Sequence, residues 1–125
     1  MYLSGHTGAE VDAMANYQEL TLTSVPEFAM GATMKCFEVG RTLVVNGSGV
    51  LMTALEANIG MELFRIPGKR MTADTAIIAS DSAGHFHRIN FLNRNGFISV
   101  QIYTSTATTQ NAILYFTTAT LILGE

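Results

Sequence analysis

The chain has no tryptophan, one cysteine, two prolines and few charges, and each shortage excludes something. A single cysteine, Cys36, rules out an internal disulfide framework, so nothing in the sequence asks for an oxidising compartment. Only 14% of residues are charged, against a norm of about 25% for soluble domains, while 48% are hydrophobic. So few charges cannot comfortably cover an isolated domain, and burial in an oligomer would resolve that, because obligate interfaces are the more apolar kind. No uninterrupted apolar run approaches the ~20 residues that span a bilayer, so membrane insertion is not expected. No basic segment followed by an apolar one opens the chain, which argues against a signal peptide. The net charge is −3 and the seven basic residues are scattered. Only Arg65, Lys69 and Arg70 approach a cluster, around a Pro-Gly turn. A nucleic-acid partner needs a basic stripe to replace counterions on phosphates, and none is present.

What is there reads as β. The 125 residues suffice for one domain with a real core and not for two. The exception lies at the start, where Ser4 to Met14 has the pattern of a short helix. Thr7 and Glu10 have the spacing of a capping box, and Glu10 and Asp12 place negative charge in the first turn. A lone helix of this length is marginal in water. Its apolar positions Val11, Met14 and Ala15 therefore call for a partner, either the β-domain or copies of themselves.

Leu20 to Met30 reads as an edge or linker segment interrupted by Pro26. Short β-like runs then follow one another: Met34 to Val39, Thr42 to Val45, Val50 to Leu55, Met61 to Ile66 and Ala76 to Ala79. Asn46-Gly47 between the second and third is the strongest short hairpin signal in the chain. Further strands are predicted over His85 to Phe91, Phe97 to Ile102 and Ile113 to Leu123, with turns at 80–84 and 93–96 and a polar loop from Thr104 to Asn111. Seven or eight strands at this spacing predict an antiparallel β-sandwich or jelly-roll-like head. The division expected is 1–30 for the helix and connector and 31–125 for the head.

Catalytic chemistry is thinly supplied. There is no Gly-x-Ser-x-Gly elbow, and Asn46-Gly47-Ser48-Gly49 lacks the Lys-Ser/Thr of a phosphate loop. Cys36 sits in an apolar alternating run, the setting of an inert buried thiol. Phe64, Phe91, Phe97 and Phe116 read as core, while Tyr103 stands at a strand-to-loop junction, where it suits either a plain loop or a sugar contact. His85 and His87 lie two apart, so on a strand both imidazoles face one way. They read first as half-exposed sheet histidines beside Gly84; a metal on a three-fold axis is the alternative. No catalytic, cofactor-binding or metal-ligating residue is assigned.

Ser4 to Met14 resembles the G-Y-T-G-E-E-I-D-A-A-L segment of many tailed-phage fibre and baseplate appendage proteins, with His6 for Tyr, Ala9 for Glu and Met14 for Leu. Leu63 to Arg70 is similar to the x-F-x-L-P-x-G-Y-R-P strand and turn of their head domains, though Met71 stands where Pro would. Asn95 to Val100 is similar to their x-x-G-x-I-x-V strand, and Ala112 to Leu123 to their closing strand, with Tyr115 in place. The resemblance implies a trimeric, jelly-roll-like virion protein that binds host-surface glycans or decorates the particle. No functional residue of the family carries over to a position here. The function expected is therefore a non-enzymatic structural protein of a tailed bacteriophage, a head fibre or a tail-fibre or baseplate tip. Its expected partners are copies of itself, other virion proteins docked through the N-terminal segment, and host glycan. The alternative is a stand-alone carbohydrate-binding, lectin-like module.

Overall fold

Period-two alternation dominates the chain from residue 17 onward, and the structure, a computed structural model, describes residues 17–124. The helix expected over Ser4 to Met14, with its Thr7–Glu10 capping box, lies outside the described residues. Ten strands follow one another: β1 (Tyr17–Leu20), β2 (Thr23–Ser24), β3 (Phe28–Met30), β4 (Lys35–Val39), β5 (Thr42–Leu51), β6 (Ile59–Pro67), β7 (Thr75–Asp81), β8 (Phe86–Arg94), β9 (Phe97–Thr104) and β10 (Ile113–Ile122). All pairings are antiparallel, so the mainly-β expectation holds. The strands make one sheet in the order β1-β4-β5-β10-β7-β8-β9-β6-β2, with β3 added to β5 beyond the end of β4. The stretch read as an edge or linker segment, Leu20 to Met30, begins at the last residue of β1 and supplies β2 and β3, both short.

The sheet curls into a half-barrel. Its edge at β6 and β2 comes round to β3, which β2 joins through a turn at Pro26 closed by Phe28 N–H on Val25 O (3.2 Å). Inside the curl lie three rings from strands far apart in the order. Phe28 and Phe64 stack with centroids 6.3 Å apart, and Phe116 tilts against Phe64 at 5.9 Å. Around them Leu43, Leu51, Ile66, Ile89, Phe91, Ile98, Ile102, Leu114 and Leu121 are fully buried. A β-bulge explains why two consecutive residues, Leu63 and Phe64, are both buried. The register of β6 on β9 slips between Glu62 and Phe64, which turns both side chains inward.

Two sequence expectations fail here. Asn46-Gly47 is no hairpin turn; it lies within β5, which runs unbroken where two strands were expected. The turn into β5 is Gly40-Arg41, with Gly40 at φ 60° in the first central position, as a type II′ turn requires. Gly47 is needed for close approach instead. A Cβ there would stand 2.3 Å from the Met34 Cα and 2.5 Å from the Thr33 carbonyl oxygen. Opposite it, β10 bulges between Phe116 and Ala119, and Asn46 Nδ2 donates to Thr118 Oγ1 at 2.9 Å. The second failure is Phe97, expected in the core; it lies half-buried on the outer face, with the Arg65 guanidinium 4.3 Å above its ring.

The connection from β6 to β7 crosses one end of the half-barrel as a strap. It bridges β10 through Met71 and Leu123, and Gly124 N–H donates to Arg70 O. Asn93 clamps it. The Asn93 Oδ1 accepts from Met71 N–H (2.8 Å), its Nδ2 donates to Met71 O (3.0 Å), and its own N–H donates to Asp74 Oδ1 (2.8 Å). Met71 is almost fully buried. Asn93→Ala strands both of its backbone groups away from water, and a loss of about 2 kcal/mol in urea unfolding is expected.

Candidate functional site

Alternation along β8 sends Phe86 and Arg88 outward and His87 and Ile89 inward. The registers then line up the outer face across five strands. One row runs Tyr115 on β10, Ser80 on β7, Phe86 on β8; the next runs Ile78, Arg88, Tyr103 on β9 and Gly60 on β6. Four large apolar side chains stand out of this surface: Phe86 is 68% exposed, Ile78 54%, Tyr115 45% and Tyr103 42%. Single exposed hydrophobics are ordinary, but four on adjacent strands are a patch, and patches mark contact surfaces. Arg88 sits among them, exposed and without a side-chain partner among the described residues. In the row beyond, Ala76 is followed by the polar residues Asn90, Gln101 and Glu62. Aromatic faces around an unpaired guanidinium suit two kinds of contact, a second protein surface or the ring of a sugar.

Beneath Phe86 the turn between β7 and β8 is organised by one carboxylate. Asp81 Oδ1 accepts from Ala83 N–H and His85 N–H, each at 2.9 Å, and Oδ2 accepts from His87 Nε2 at 2.7 Å. Burial by itself would raise the Asp81 pKa, but these hydrogen bonds outweigh it and hold the carboxyl below its ordinary value of 3.8. His87 is buried, and its Nδ1 meets no partner. His85 precedes β8, is 45% exposed along its side chain, and stands with Nδ1 3.6 Å from Asp81 Oδ2. The two imidazoles therefore converge on Asp81 rather than pointing out together. His87 uses one nitrogen on Asp81 and has the other enclosed in protein. Among the described residues no group of three or more His, Cys, Asp or Glu is placed to hold a metal ion.

A second polar network lies at the far side of the outer face. Glu62 accepts from Arg65 Nε at 2.8 Å and from the Ser99 hydroxyl, and Gln101 Nε2 donates to the same Ser99 oxygen at 3.1 Å. Burial works against the Glu62 charge, and the Ser99 and Arg65 hydrogen bonds with the nearby arginine charges overcome it, so its pKa lies below the ordinary value. Cys36 is fully buried, and burial, helped by Glu38, pushes its thiol up to about 11, far from a nucleophile.

No family model matches this chain, and neither does a curated protein or a solved structure. Tyr103 was legible in the sequence as a surface candidate; Phe86 and Ile78 were not singled out. The available signal was parity: Phe86 shares its face with Arg88 and Asn90, which marks it as outward. Among the described residues no helix is long and apolar enough to cross a membrane.

Proposed function

We propose that the chain is a non-catalytic structural protein displayed on a tailed-phage virion, a fibre or appendage head that assembles as a homotrimer. The observation that carries this reading is the exposed patch of Phe86, Ile78, Tyr115 and Tyr103 on the outer face of the sheet. In a chain with only 14% charged residues, such a patch is what a second copy would cover. The jelly-roll-like character of the head is part of the same reading. It is supported by the curl that brings Phe28 of β3 over Phe64 of β6 across a shared core. Docking on other virion proteins through the N-terminal segment, and adhesion to host glycan, belong to the proposal by resemblance.

The test is the double substitution Ile78→Ser, Phe86→Ser. Both side chains are more than half exposed, so the fold should survive with an unchanged far-ultraviolet spectrum. Light scattering should show the assembly falling to a species near the 13.5 kDa chain mass. An assembly of unchanged mass would remove this face from the interface.

The arrangement around Arg88 favours a second reading, a lectin-like module. Tyr103 is the partner of Arg88 on β9, Phe86 lies two residues before it on the same face, and Asn90 and Gln101 follow in the next row. In that case a neutral sugar should quench the tyrosine fluorescence, which no tryptophan masks. Arg88→Ala should then abolish the quench without altering mass.

A further inference from the structure

At the other end of β8 from Phe86, the fold gathers cations that the sequence scatters. A cleft of about 460 Å³ opens there, lined by Lys69, Arg70, Arg94, Glu38 and the turn residues Gly68 and Gly96. Three of the seven basic residues of an acidic chain thus meet at one opening. Glu38 is the one acid lining it among the described residues, and Lys69 Nζ is already bonded to Glu38 Oε1. Neither Arg70 nor Arg94 has an ion-pair partner among the described residues, although the Arg94 charge also acts on Glu62. Arg70 is exposed and has no side-chain partner among the described residues, while Arg94 spends one nitrogen, Nη1, on the neighbouring Asn93 O at 3.1 Å.

The cleft has a built floor. The turns at Pro67-Gly68 and Asn95-Gly96 are tied by Gly68 N–H on Gly96 O (2.9 Å). Both glycines have positive φ, 72° and 89°, with open space where a Cβ would be, so neither adds a side chain to the opening, while Asn95 lines it. Asn93 clamps the strap that carries Lys69 and Arg70, so the cations are presented from a fixed backbone rather than a loose loop.

We infer that this cleft binds a saccharide-sized ligand through an oxyanion, held by the forks of Arg70 and Arg94. A guanidinium presents paired N–H donors that match the oxygens of a carboxylate or phosphate, and a volume of this order accommodates a sugar ring but not a large ligand. The shared chemistry is the oxyanion; its source is a sugar acid or a sugar phosphate. The inference does not rest on the assembly reading, because Phe86 and Arg94 lie at opposite ends of β8, roughly 26 Å apart at ~3.3 Å per residue.

Isothermal titration of the full chain at low ionic strength, with glucuronate, glucose 6-phosphate and neutral glucose, tests it. One or both anions should bind and glucose should not, and whichever anion binds assigns the source. Binding should weaken as salt is raised, because the site is open to solvent. Arg70→Gln with Arg94→Gln should lower the affinity at least about ten-fold, the loss expected of charge-assisted hydrogen bonds. Replacing both by Lys should give an intermediate value. Should the double variant melt early, Arg70→Gln alone carries the comparison. Silence from both anions, glucose binding that the Gln variants also lose, or wild-type anion affinity in the Gln variants would each overturn the assignment.

Discussion

Gly47→Ala is expected to cost at least about 3 kcal/mol, which in a domain of this size is a fall of roughly 10 °C in Tm. The added methyl would lie 2.3 Å from the Met34 Cα, 2.5 Å from the Thr33 oxygen and 2.6 Å from the Met34 nitrogen. All three are backbone atoms, so no side-chain rotation relieves the clash. The strand itself must move away from the segment entering β4. The φ of 138° adds strain for any residue with a Cβ, of the order of 1–3 kcal/mol. Gly96→Ala is the control. Gly96 also has positive φ, but nothing lies within 4 Å of its missing Cβ, and only about 1 kcal/mol should be lost. Equal, small losses at both positions would mean that the Thr33–Met34 backbone does not press on β5 at Gly47.

Asp81→Ala should be as damaging, about 3 kcal/mol, because it leaves His87 buried without its one partner and removes the acceptor that Ala83 N–H and His85 N–H share. Asp81→Asn keeps an oxygen in place of Oδ1 for Ala83 and His85 and should cost less, about 1–2 kcal/mol. The pH dependence has a definite sign. The folded carboxyl titrates below 3.8 and the unfolded one near that value. Between the two, the unfolded chain binds more protons, so the contribution of Asp81 is full above 3.8 and is lost as pH falls through the folded value. Urea midpoints of wild type and Asp81→Asn should therefore converge on acidification below about pH 4. Midpoints that stay parallel down to the acid limit would contradict the buried pairing.

These two positions show what the sequence could and could not carry. Alternation made β8 and β9 legible, because Phe86 to Phe91 and Phe97 to Ile102 obey period two. Cys36, buried in the core as an alternating apolar run predicts, was equally readable. Asn46-Gly47 misled because a dipeptide reports only its local preference. The crossing of Met34 that demands Gly47 comes from residues 13 and 14 positions earlier and is invisible to any short window. Leu63 and Phe64 broke the period through a bulge, and β2 and β3, at two and three residues, are too short to show one. The turn around Asp81 was evident from composition, but its burial under Phe86 depends on where His87 packs. The cationic cleft was hidden for a similar reason. Arg65, which is near Lys69 in sequence, turns away to Glu62 and Phe97, while Arg94 arrives from the neighbouring turn.

The patch on the outer face and the low charge of the chain are the features expected of a domain that works as an assembly. Its solution mass, read by light scattering on the unaltered chain across a range of concentrations, tests that claim most directly. A fibre head of the proposed kind should run as three copies of a 13.5 kDa chain, stable to dilution. A single copy that stays soluble at high concentration, with Phe86 and Ile78 open to water, would contradict it and leave a monomeric binding module in its place.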